Sequence, residues 1–177
     1  MMTLFNTLDD DALFNIMLNA DIDTVTSICL TTNISYCDDL HFWKLYFGKN
    51  NLPILINPLP TTLSAWRREY KRVQSAALLT TELMAQLRQG YIINLNYTSH
   101  QMNFKNILPP HLRSAIFNFT PRYQPFRSIR IKYNGGYKIY MVNNLDSNDL
   151  NISNDDLYDI LTIIFYHYPT IPYNIYE

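Results

Sequence analysis

Apolar positions recur at two different periods along this chain. Leu13, Phe14, Met17 and Leu18 fall three and four residues apart, as on one face of a helix. Asp9, Asp10 and Asp11 stand just before them and suit a helix N-terminus, where carboxylates meet exposed N–H groups and the positive end of the helix dipole. Asp21 and Asp23 mark a break, and Asp23 is expected to cap a second helix carrying Val25, Ile28 and Cys29. Asn33 suits the turn that follows. A third short helix is expected around Ile34 and Cys37, and a fourth from near Asp39 to Phe47, stopped by Gly48 in a left-handed conformation. Pro53, Pro58 and Pro60 oppose a long helix in the connector 49–60. Thr61 or Thr62 can then cap a long helix reaching Gln89. Leu63, Trp66, Tyr70, Val73 and Ala77 form its stripe, and Gly90 ends it.

The second half changes to a period of two. Tyr91, Ile93, Leu95 and Tyr97 alternate with Ile92, Asn94 and Asn96, as in a half-buried strand. A short helix is expected from Pro110 to Ile116. Residues 128–133 and 137–142 both alternate, with Asn134, Gly135 and Gly136 between them, which is the chain's clearest hairpin signal. Ser153 and Asp156 resemble a capping box, ahead of a helix that buries Leu157, Ile160, Leu161, Ile164 and Phe165 and is limited by Pro169. The expected fold class is α+β: an N-terminal helical bundle, a long helix, a small antiparallel β-hairpin or sheet region, and a C-terminal helix. The expected domains are 1–48, a helical module; 49–75, a connector and a tryptophan-bearing helix packing on it; and 76–177, an α+β part.

Composition narrows the class. The chain has 177 residues, 47% of them apolar and 16% charged, with 2 Trp, 14 Tyr and 9 Phe, enough to build a core. No apolar run approaches the roughly 18–20 residues of a membrane span. No signal peptide is evident in MMTLFNTLDDD. Two cysteines, Cys29 and Cys37, make no disulfide framework and point to a reducing compartment, as small buried apolar residues. Asn, Ile and Tyr abound against only 4 Gly, a bias that fits an AT-rich genome such as that of a large DNA virus or a protist.

The formal net charge of −1 conceals segregation. Residues 1–60 carry −5, residues 61–138 carry +10 and residues 139–177 carry −6. Arg67, Arg68, Lys71 and Arg72 lie on the long helix, and Arg127, Arg130 and Lys132 lie around the first hairpin strand. They offer a surface for an acidic protein partner or for nucleic acid, or else two solvated faces. They sit on two different elements, and no glycine-rich phosphate loop or zinc pattern accompanies them, so nucleic acid ranks behind a protein target.

Catalytic chemistry leaves no local mark. His41, His100, His111 and His167 lack metal-ligand spacing, and the two cysteines form no CxxC pair. The expectation is a non-enzyme without metal or cofactor.

From Leu8 to Trp43 the chain resembles an F-box. Leu8 stands at the family's leading leucine and Asp9 where proline is usual. Leu13, Ile16 and Met17 match the first helix; Asp23, Val25, Cys29 and Leu30 the second; Ile34 and Cys37 the third; and Phe42 with Trp43 closes the pattern. Trp66-Arg67-Arg68-Glu69-Tyr70 is similar to an extension in F-box-like proteins of large (giant) DNA viruses, where an aromatic helix packs back on the F-box. The resemblance covers residues 4 to about 73. It implies a partner, the Skp-type adaptor of a cullin ubiquitin ligase, with Leu8, Leu13, Ile16, Met17, Val25, Leu30 and Trp43 as candidate contacts, some of which must instead be internal core. It further implies a ubiquitin-pathway role in host–virus interaction: bridging a host ligase to a target protein held by residues 76–177, in the host cytoplasm or nucleus, or in the virion. Two alternatives stand beside it: a viral structural or virion-associated packing protein, and a nucleic-acid-binding protein using the basic middle.

Overall fold

The computed structural model describes residues 9–32, 34–96, 110, 128–142 and 147–177. The fold is α+β, and the chain divides into two compact units, Met1–Gln74 and Ser75–Glu177. The first takes in both the helical module and the tryptophan-bearing helix. The expected 110–116 helix, Tyr97 and Leu8 lie outside the described residues, apart from Pro110.

The first unit contains α1 (Asp10–Asn19), α2 (Ile22–Thr32), a 3-10 turn (Ser35–Asp38), α3 (Leu40–Lys49) and the start of α4 (Leu63–Arg88). Asp9 caps α1, its Oδ1 accepting from the Ala12 N–H at 2.7 Å. The cap of α2 is Asp21 rather than the expected Asp23. Its Oδ1 accepts from the N–H groups of Asp23 (3.0 Å) and Thr24 (2.9 Å), and its Oδ2 from the Thr24 hydroxyl. The helix therefore begins at Ile22, which carries Asp23 into the first turn and turns its carboxylate outward. Asp39 caps α3 through the His41 N–H at 3.0 Å. Gly48 does not stop that helix. It lies within α3, and the positive φ of 53° falls on Asn51 while the Leu52 N–H returns to the Phe47 carbonyl at 3.0 Å. Asn, like Gly, tolerates this conformation.

Eight aromatic side chains form the centre of this unit. Trp43 lies flat against Trp66, with ring centroids 5.5 Å apart and 11° between planes. Phe47 and Tyr46 meet Tyr70 at 5.4 Å and 5.0 Å, and Phe14 meets Tyr36 and Phe42. Two of the polar tips bond backbone carbonyls, Trp43 Nε1 donating to that of Cys37 at 2.9 Å and the Tyr46 hydroxyl to that of Ala20 at 2.9 Å, whereas Trp66 Nε1 is buried without a hydrogen-bond partner. Burial raises the pKa of both Tyr46 and Tyr70, so these hydroxyls stay protonated.

Cys29 and Cys37 are bonded to each other, their Cα atoms 5.7 Å apart. This corrects the reading of two free thiols, and the inference from cysteine usage to a reducing compartment loses its basis. Spacing alone could not show it, because the chain turns back between α2 and the 3-10 segment to bring the two together.

The second unit is a five-stranded antiparallel sheet with helices. Its strands are β1 (Ile92–Asn96), β2 (Ser128–Tyr133), β3 (Tyr137–Val142), β4 (Ser147–Ile152) and β5 (Tyr173–Tyr176), in the order β4-β3-β2-β1-β5. The β2–β3 hairpin turns as expected, with Gly135 at φ 66° and the Asn134 N–H donating to the Gly136 carbonyl. The sequence reading did not anticipate β4 and β5. SNDLNI is mostly polar, and YNIY is too short to show a period.

Ile93, Leu95, Ile129, Ile131, Tyr137 and Ile139 are buried on one sheet face, and the register sets them side by side. Contacts from the C-terminal part of α4 and from α5 (Asn154–His167) reach it: Arg88 Nε donates to the Tyr137 hydroxyl at 2.8 Å, and Phe165 meets Tyr173. Ser153 caps α5, accepting from the Asp156 N–H at 3.0 Å and donating its hydroxyl to the Asp156 carboxylate at 2.7 Å. Asp, shorter than Glu, closes the box on the hydroxyl. Every residue from Ile160 to Tyr166 is buried, including Thr162, whose hydroxyl donates to that of Thr80 at 3.3 Å. A helix apolar on all sides needs cover on more than one, and here α4 supplies part of it. No helix among the described residues is long and apolar enough to cross a membrane.

Two stability predictions follow from the first unit. Trp66→Ala removes half of the stacked pair and is expected to cost about 3–5 kcal/mol in a urea melt followed by tryptophan fluorescence. A loss below about 1 kcal/mol would show that α4 is not needed to complete the bundle. Reducing the Cys29–Cys37 bond reopens a loop of sequence separation 8. Chain entropy puts the expected loss at about 2–3 kcal/mol, measured as the difference between oxidised and reduced melts. Coincident melts would show that the bond contributes nothing.

Candidate functional site

The described candidates for adaptor contact separate into two sets. Leu13, Met17, Val25 and Trp43 are interior to the first unit: the 3–4 spacing that nominated them is the spacing that turns a helix face toward its own bundle. In this arrangement none of the four offers a side chain to a partner, so their place is the core. Ile16 and Leu30 are the two that reach the surface, 41% and 75% exposed. Leu30 sits on the side of α2 away from Val25, Ile28 and Cys29. Two exposed aliphatic residues of this unit escaped the sequence reading, Leu59 in the connector and Leu45. Leu45 of α3 is 42% exposed, lying off the stripe of Phe42, Trp43, Tyr46 and Phe47 that forms the core. Its being out of phase with that stripe was the available signal.

The described bases of the middle segment divide between the two units. Arg67 Nη2 and Lys71 Nζ lie one helical turn apart on α4 and meet the same oxygen, Asp23 Oδ1, at 2.8 and 2.7 Å. Asp23 thus serves as a tether between α2 and α4 rather than as a helix cap. The Asp38 carboxylate accepts from the Leu63 N–H at 2.7 Å, holding the first turn of α4 from the same unit. Arg88, near the other end of α4, is spent on Tyr137 and on Asn154 Oδ1 at 2.8 Å. Arg68 and Arg72 are exposed on α4. Arg127 lies outside the described residues, as do Lys105, Arg113 and Arg122. Arg130 is exposed and Lys132 half-exposed on the sheet face opposite the buried one, and the structure adds Lys138, the register partner of Lys132.

Among the described residues no group of three or more His, Cys, Asp or Glu side chains could hold a metal ion. His41 is exposed on α3, and His167 packs its ring against Tyr166 at 4.9 Å. His100 and His111 lie outside the described residues.

The two aspartates give the first unit an acid limb. Hydrogen bonds from Lys71 and then Arg67 hold the Asp23 carboxyl below its usual value of 3.8, and the Thr24 N–H and hydroxyl do the same for Asp21. A depressed native pKa contributes stability that is present above 3.8 and is lost as pH falls through the native value. Urea midpoints measured between neutral pH and about pH 2 are expected to drop below pH 4. Asp23→Asn should flatten that drop, and a drop of unchanged steepness in the variant would show that the Asp23 contacts are not formed in solution.

No protein-family model matches the chain, no curated protein is similar to it, and no solved structure resembles it, so the likeness to F-boxes rests on the residues quoted for it.

Proposed function

We propose that the chain is an F-box-like bridging protein. Its first unit holds the Skp-type adaptor of a cullin ubiquitin ligase, its second unit recruits a target protein, and another subunit transfers ubiquitin to that target. The gain is effective concentration: two tethered sites turn a bimolecular encounter into an intramolecular one. No catalytic group is needed in the chain itself. Its setting would be the host cytoplasm or nucleus, as a viral factor that redirects a host ligase.

The observation that carries this reading is the exposure of Ile16, Leu30 and Leu45, one large aliphatic side chain on each of three helices whose aromatic core is already filled. A helix-packing partner would use such side chains, and burying one contributes about 1.5–3 kcal/mol. Leu13, Met17, Val25 and Trp43 then act by holding the bundle that presents them. A reducing cytoplasm favours Cys29 and Cys37 as thiols, so the reading requires the bundle to keep its fold with the bond open. The disulfide itself favours the second reading, a virion-associated packing protein, since such bonds persist on particle surfaces.

The test is capture by tagged full-length protein from a eukaryotic lysate in reducing buffer, read by mass spectrometry. Adaptor and cullin are expected with the natural sequence. Ile16→Asp with Leu30→Asp should lower their recovery at least tenfold, because an unpaired carboxylate forced into an apolar contact costs at least about 1–3 kcal/mol. Both positions are exposed, so the variant's melt should match the parent's. Undiminished adaptor recovery by the variant, or coat proteins in place of adaptor and cullin, would remove the bridging reading.

A further inference from the structure

We propose that β5 is a self-pairing edge, through which two copies of this chain join their sheets into one. Among the described residues β5 ends the order β4-β3-β2-β1-β5 and has a strand on one side only. One bond fixes the direction of its backbone groups: the Pro172 carbonyl accepts from the Asn96 N–H of β1 at 2.8 Å. Direction alternates along a strand. Asn174 and Tyr176 therefore also turn their N–H and C=O toward β1, while Tyr173 and Ile175 turn theirs outward. The N–H that Pro172 lacks would have faced β1, so this proline does not block the outer side.

The side chains of this edge are only part-covered. Tyr173 stands across from Leu95 and Ile175 across from Ile93, so both lie on the buried face of the sheet. As the outermost residues of that face they remain 38% and 41% exposed, although Leu95 and Ile93 beside them are fully buried. Tyr176, across from Ile92 on the opposite face, is exposed as well. Apart from its shortness, β5 holds none of the devices that keep an edge single. YNIY has no charge and no proline, and its pairing with β1 has no bulge. The other edge, β4, carries Asp149.

A second β5 is the occupant these features fit. With the strands antiparallel about a two-fold axis at Asn174, Tyr173 of each copy stands across from Ile175 of the other. This is the antiparallel register that bonds every outward N–H and C=O of Tyr173 and Ile175 to a partner within β5 itself. On the buried-face side it sets a tyrosine ring against an isoleucine twice, an aromatic–β-branched pairing that stabilises adjacent strands. On the other face it sets Asn174 against its own copy in a non-hydrogen-bonded pair, where side chains come closest, and an amide both donates and accepts. An unrelated extended segment would meet the main chain equally well but would lack these side-chain pairs. The junction is isologous and leaves β4 outside it, so assembly closes at two chains. The inference is independent of the bridging role: adaptor capture reports on the first unit, and self-association through β5 on the second.

The experiment is sedimentation velocity of the full chain from about 1 to 200 µM, a range suited to the weak affinity of small interfaces. Mass should rise from one chain toward two and stop there. Asn174→Lys and Asn174→Asp each put like charges face to face at the two-fold axis and remove the amide pair. Each alone should raise the midpoint concentration about tenfold. An equimolar mixture of the two should associate at concentrations where neither does alone, because the mixed dimer sets opposite charges there. Asn174 is exposed, so both variants should keep the parent's urea melt at low concentration. Ile175→Pro takes away an outward N–H and none that faces β1, and should remain a single chain throughout the range. The proposal is overturned by a natural sequence of one-chain mass at every concentration, or by mass growing past two chains. It is equally overturned by unchanged midpoints in the charge variants, by a mixture that associates no better than its components, or by Ile175→Pro pairing like the parent.

Discussion

Trp43 stacked on Trp66 is the contact on which the N-terminal unit depends. Three short helices and a 3-10 turn cannot by themselves bury enough apolar surface to fold firmly. α3 therefore presents Phe42, Trp43, Tyr46 and Phe47 as one aromatic side, and α4 answers with Trp66 and Tyr70. The partner helix arrives after a proline-rich connector, so it is placed by tertiary contacts rather than by chain continuity with α3. Two carboxylates fix its approach: Asp38 receives the first N–H of α4, and Asp23 receives two of its cations. Every one of these contacts serves to seat α4.

The same helix serves the second unit by repeating its pattern. Buried positions recur as Trp66, Glu69, Tyr70, Val73, Ala76, Ala77, Thr80, Leu83, Met84 and Leu87, three and four apart over the whole of the helix. The side chains shrink midway, from rings to Ala and Thr. Small side chains let α5 approach closely enough for Thr80 to meet Thr162, and the all-round apolar character of α5 makes such close cover necessary.

Charge follows the division into units. Of the eight described bases of the middle segment, Arg67 and Lys71 meet Asp23, and Arg88 meets Tyr137 and Asn154. Arg130, Lys132 and Lys138 share one face of the sheet with amides and a tyrosine ring, whereas Ile16, Leu30 and Leu45, exposed on the bundle, are aliphatic. The two units thus carry chemically different surfaces.

The sequence by itself determined the elements whose signal is local. The 3–4 spacing of Leu13 and Met17, the Asn134-Gly135-Gly136 turn, the Ser153 cap and the stripe of α4 all follow from backbone geometry and side-chain period, and each lies where the pattern placed it. Local rules failed where neighbours compete. Asp21 and Asp23 are both good caps, and only the packed start of α2 assigned one to the helix and the other to Arg67 and Lys71. Asn51 took the positive φ expected of Gly48 because α3 runs on to Lys49 and the chain turns only after it. Which of the apolar helix positions face inward, that Cys29 meets Cys37, and that Lys132 faces Lys138 are facts of pairing between segments distant in sequence or turned back on themselves. Periodicity names a face but not what covers it, and that was decided only when the helices and strands packed together.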